Sequence, residues 1–115
     1  MTRKAEVTIH REIVEDDSPD VSYLDQEDWQ ERRAQYARGD FYFVGVRAVA
    51  LISVPYGQDW IVTQLKSPGL WCIESDSGDD YLTEVFEEEK KTLLDMLASL
   101  RDYELSGITR ESCPA

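Results

Sequence analysis

Residues 41–54, FYFVGVRAVALISV, alternate without a break through the middle of the chain. Tyr42, Val44, Val46, Ala48, Ala50, Ile52 and Val54 recur at a period of two and make one side apolar throughout. Phe41, Phe43, Gly45, Arg47, Val49, Leu51 and Ser53 make the other side, which is mixed. A period of two predicts a strand, because successive side chains of an extended backbone point to opposite faces. The run is longer than the usual strand of about 5–6 residues, so a bend or bulge is expected, with Gly45 as its natural place.

The flanking segments build a sheet around this strand. Residues 55–59, PYGQD, predict a hairpin turn, residues 60–66 a return strand, residues 67–69, SPG, a second turn, and residues 70–75 a short fourth strand. Turns this short join antiparallel strands. Near the start, residues 4–14 also alternate: Ala5, Val7, Ile9 and Ile13 face one way, interrupted by Arg11, and Glu6, Thr8, His10 and Glu12 face the other. Residues 16–20, DDSPD, read as a loop.

Two helices are expected. In the first, Ser22 or Asp25 caps, acids crowd the first turn, Arg32, Arg33 and Arg38 fill the end, and Gly39 stops it. Its apolar stripe is thin: Leu24, Trp29, Tyr36 and Ala37. The second follows residues 76–80, DSGDD, with Ser77 or Asp79 capping. Tyr81, Leu82, Val85, Phe86, Leu93, Leu94, Leu97 and Leu100 recur at helical spacing. The expected fold is α+β with the order β-α-β-β-β-α: an antiparallel sheet of about four strands with helices on one face and the other face partly open. Residues 1–101 are expected to form a single domain and residues 102–115 a flexible C-terminal tail.

Hydrophobic residues make up 42% of the chain, with three Trp, six Tyr and three Phe, which excludes disorder for the body. No run reaches the roughly 18 apolar residues of a membrane span, and the start, MTRKAEVTIHRE, lacks the apolar core of a signal peptide. The expectation is a cytoplasmic protein. Cys72 and Cys113 form no C-x-x-C or Cys/His cluster and read as free thiols.

Charge is the chain's second constraint. The formal net charge is −12, and most of the 24 acids lie in two stretches without a single Lys or Arg. Residues 12–31 hold Glu12, Glu15, Asp16, Asp17, Asp20, Asp25, Glu27, Asp28 and Glu31. Residues 74–89 hold Glu74, Asp76, Asp79, Asp80, Glu84, Glu87, Glu88 and Glu89. Such a field repels nucleic acid directly and attracts a basic protein surface. Solubility alone needs a net charge of only about 2–8 in magnitude, so the surplus points to function.

Enzyme chemistry finds no footing. His10 is the only histidine and lies on the polar side of a strand. There is no G-x-S-x-G, Walker loop or G-x-G-x-x-G. An EF-hand aligned on Gly78 would put Ile73, Ser75 and Ser77 at the first three ligand positions, so no metal is expected. The chain reads as a non-enzyme without catalytic residues or cofactor.

Two readings of the surface remain. In the first, Asp76, Asp79, Asp80, Glu84, Glu87 and Glu88 form one carboxylate row, and Asp16, Asp17, Asp20, Glu27, Asp28 and Glu31 form a second. Together they imitate the phosphates of a nucleic acid and block a basic nucleic-acid-binding surface on a partner protein. In the second, Phe41, Phe43, Arg47, Trp60 and Trp71 meet on the open sheet face as a protein-interaction or homodimerisation patch, and the acids serve solubility. The same aromatics also fit a second small core covered by residues 15–23. Neither reading involves a membrane or direct contact with nucleic acid.

The runs GDFYFVGVRA at residues 39–48 and SPGLWCIESD at residues 67–76 resemble a family of small acidic proteins from bacterial genomes, phages and other mobile elements. The resemblance extends over about residues 18–100 and carries over no catalytic residue. It implies a context in which anti-CRISPR and anti-restriction inhibitors occur, several of them DNA mimics.

Overall fold

A computed structural model describes residues 4–101. The elements are β1 (Glu6–Glu15), α1 (Gln30–Arg38), β2 (Phe43–Tyr56), β3 (Asp59–Lys66), β4 (Leu70–Glu74) and α2 (Asp79–Arg101), with two 3-10 turns, Ser22–Asp25 and Glu27–Trp29, before α1. The fold is α+β with a four-stranded antiparallel sheet, in the order the sequence predicts. The tail and Cys113 lie outside the described residues. Among those described, no helix is long and apolar enough to cross a membrane.

The length of β2 organises the sheet. β1 pairs along one of its edges, from Val44 to Ser53. The opposite edge is shared: β3 takes Val49 to Tyr56 and β4 takes Phe43 to Val46. The expected irregularity does lie at Gly45, but the extra residue belongs to β4. Val44 pairs with Ile73 and Val46 with Leu70, so Trp71 and Cys72 together face Gly45. Cys72 takes up the distortion with a φ of 61°.

Each face of β2 carries its own core. On the even-numbered side, Val44 and Val46 pack with Ile73 and with Val85 of α2, and Ala48 and Ala50 pack with Leu93. Leu82, Phe86, Met96 and Leu97 complete the α2 contact. Met96 fills a place the periodicity did not assign, whereas Leu100, expected to hold the helix down, is 55% exposed. On the odd-numbered side, Phe41 and Phe43 are buried under Leu24, Val21, Tyr23 and Tyr36. The helices therefore divide between the faces rather than sharing one, because bulky aromatics on the mixed face of β2 need cover of their own.

The first helical segment is also broken. Residues 22–29 form 3-10 turns and only Gln30–Arg38 is α-helical, so Arg32 stands in the first turn of α1 instead of the last. Neither Ser22 nor Asp25 caps with its side chain. Gly39 does stop the helix: it adopts φ 81°, and its N–H and that of Asp40 return to the carbonyls of Tyr36 and Gln35. At α2, Ser77 donates its hydroxyl back to the Glu74 carbonyl instead of capping. Arg11, the cation that interrupts the apolar side of β1, reaches α2 and donates to Asp79 Oδ1 at 3.3 Å and Thr83 Oγ1 at 3.4 Å.

Candidate functional site: an acidic interface

The acids separate into those the fold uses and those it leaves to solvent. Asp16 accepts the Ser18 N–H at 3.1 Å and, through its other oxygen, the Cys72 N–H at 3.0 Å, so it braces the β4 bulge. Asp20 accepts the Ser22 N–H at 3.1 Å, and hydrogen bonding from Ser22 holds its carboxyl below the usual range. Glu12 accepts from Arg47, which likewise lowers its pKa.

Arg32 ties α1 to the start of the second acidic stretch. Its Nε donates to Glu74 at 2.9 Å, its Nη2 donates to Asp76, and its guanidinium carbon lies 3.7 Å from the centre of the Phe41 ring. The pairing pushes Arg32 further up and Asp76 down. Tyr23 donates to the same Glu74 at 3.1 Å, and burial plus that carboxylate push its pKa up to about 12.

Glu89 is a third fold-bound acid. It accepts from the Ser67 hydroxyl and the Gly69 N–H, tying the β3–β4 turn to α2. Neither Arg32 nor Glu89 is among the site residues expected from the sequence. Glu89 had a legible signal, since it stands four residues from Val85 and from Leu93 on the buried stripe. Arg32 had none, because its role depends on the 3-10 turns that move it to the start of α1.

The remaining acids are exposed. Asp17, Glu27, Asp28 and Glu31 lie with the 3-10 turns and α1. Asp79, Asp80, Glu84, Glu87 and Glu88 lie on α2, where Asp79 meets Arg11 and Glu88 meets Lys91 in exposed pairs. The two sets occupy opposite sides of the sheet. Asp80 and Glu87 project from the side of α2 away from Val85 and Leu93, whereas Glu84 and Glu88 border the cleft beside Val85. At 1.5 Å of rise per residue the four span about 12 Å along the axis, in three uneven intervals averaging about 4 Å. One strand of a DNA duplex carries a phosphate about every 3.4 Å.

Two clefts flank β4. One, of about 520 Å³, is lined by Tyr23, Trp71, Cys72 and Glu74 among others. The second, of about 290 Å³, lies between β4 and α2 and is lined by Leu70, Tyr81, Glu84, Val85, Glu88 and Glu89.

Of the expected aromatic face, Arg47 and Trp71 come together, the guanidinium carbon 5.9 Å from the centre of the indole ring. Phe41 and Phe43 are each 2% exposed and belong to the second core, the covered arrangement that was the alternative to an open patch. Arg47 is paired with Glu12. Trp71 covers Gly45, and Trp60 stands opposite Pro55 near the far end of β2.

Comparison with protein-family models, curated proteins and solved structures returned no match for this chain.

Proposed function

We propose that this protein is a non-enzymatic binding module that presents carboxylates to a basic, nucleic-acid-binding surface of another protein and occludes it. The concentration of exposed carboxylates at Asp80, Glu84, Glu87 and Glu88 on one helix carries the reading. Asp76 and Asp79, though paired with Arg32 and Arg11, lie next to them toward the β4 edge, and Glu27, Asp28 and Glu31 form a separate exposed set on the opposite side of the sheet. Asp16, tied to the Cys72 N–H, contributes least, while Asp20 stays exposed beside that separate set. The resemblance to mobile-element proteins fits an inhibitor of the anti-CRISPR or anti-restriction kind.

Exposed ion pairs contribute only about 0.2–1 kcal/mol each, so several must act together. Binding of this kind weakens as salt screens the charges over about 8 Å at 0.15 M. Capture of the partner from lysate should therefore succeed at low salt and fail at high salt. Capture unchanged by salt would count against the reading.

A further inference from the structure

Among the described residues, Arg32 occupies a guanidinium site built by the fold. Arg32 lies on the Phe41 ring and bridges two carboxylates, Glu74 and Asp76. The cleft between β4 and α2 offers the same parts with no cation among the described residues in that place. Tyr81, 42% exposed, supplies the aromatic ring, and Glu84 and Glu88 supply the carboxylates. Among the described residues Glu84 enters no ion pair, and Glu88 holds only the exposed Lys91 at 3.3 Å.

We infer that this cleft receives an arginine side chain of the protein partner. The inference rests on the reading of the protein as an acidic binding module and gives the partner's anchor a chemical identity. Glu84 and Glu88 are four residues apart, which sets their Cβ atoms about 5–6 Å from each other on one helix side. A planar guanidinium with five donors can span two such carboxylates and stack on a ring, whereas a lysine ammonium is a compact point charge. Leu70 and Val85 provide apolar surface for the methylene stem, as a snorkelling side chain requires. Glu89 also lines the cleft, but its carboxylate already accepts from Ser67 and Gly69 and fixes the floor.

The test uses three capped tripeptides, Gly-Arg-Gly, Gly-Lys-Gly and Gly-citrulline-Gly, titrated into isotopically labelled full-length protein. Binding is followed by NMR at the Leu70 and Val85 methyls and the Tyr81 ring. The arginine peptide should shift these signals at lower concentration than the lysine peptide, and the citrulline peptide should leave them unmoved. Glu84→Gln combined with Glu88→Gln should weaken the arginine response about tenfold, the loss of two charge-assisted contacts. Tyr81→Leu should erase the preference for arginine over lysine. Equal responses to arginine and citrulline would overturn the inference. Shifts spread over Glu27, Asp28, Asp80 and Glu87 but absent from Leu70 and Tyr81 would overturn it too, while leaving the acidic-module reading standing. No response to either cationic peptide at low salt would remove both.

Discussion

The Trp71 indole sits so close to Gly45 that a Cβ at position 45 would fall 2.2 Å from Trp71 Cε3. Trp71 is held in place by its Nε1–H, which donates to the Pro68 carbonyl at 3.0 Å. The glycine in the longest strand is thus a seat for a ring from the bulge of β4.

Gly45→Ala should destabilise the protein by about 1–3 kcal/mol, the range for forcing extra atoms into a packed site. It should also displace the indole toward solvent and shift its fluorescence to the red. Urea unfolding checks the first point and emission spectra the second. Pairing Gly45→Ala with Trp71→Ala should cost less than the sum of the two single changes, since the clash disappears with the ring.

Leu93→Ala should cost about 2–5 kcal/mol, because Leu93 is fully buried against Ala48 and Ala50. Leu100→Ala, more than half exposed, should stay within about 0.5 kcal/mol. Denaturant midpoints of the two variants test whether α2 is held at its middle rather than its end.

The acids of a single stretch should behave differently. Glu89→Ala strands the Ser67 hydroxyl and the Gly69 N–H, and Asp16→Ala strands the Cys72 N–H, so each should cost about 1–3 kcal/mol. Glu87→Ala, on the exposed side of α2, should leave the midpoint within about 0.5 kcal/mol.

These contrasts mark what a sequence can carry. The alternation of residues 41–54 and the helical spacing from Leu82 to Leu97 are local periodicities, and both gave the right elements. Gly45 marks the place of the bulge, but the extra residue lies in β4, because the strand that takes it is set by pairing between distant segments. The two faces of β2 were harder. Phe41 and Phe43 read equally well as an open patch or as a core, and the deciding contacts come from Leu24 and Tyr36, non-neighbours in sequence. The acidic stretches were legible as charge. Which acids were committed inside the fold depended on long-range partners such as Arg32 with Glu74.

Acid should weaken the fold through its depressed carboxyls. Glu12 falls below 4.5 chiefly through its hydrogen bond from Arg47, and Asp76 falls below 3.8 chiefly through Arg32. A folded pKa below the unfolded one means that the unfolded chain binds the proton more tightly. The stabilisation is then present above the unfolded pKa and is lost as pH falls through the folded value. The urea midpoint should hold its contribution from these pairs above about pH 5 and lose it progressively below about pH 4. Glu12→Gln should make that acid limb shallower, and an identical limb in the variant would contradict the assignment.

The central claim, that exposed carboxylates on α2 occupy a partner's nucleic-acid-binding surface, is tested most directly by charge reversal with a competitor. The variant combining Glu84→Lys, Glu87→Lys and Glu88→Lys should keep the parent's denaturant midpoint within about 1 kcal/mol, since exposed charges contribute little to the fold. Its binding to the partner captured by the parent protein should be lost, and duplex DNA should displace the parent from that partner. Binding by the triple variant equal to the parent's, with loss instead on Trp71→Ala and no displacement by DNA, would contradict the account.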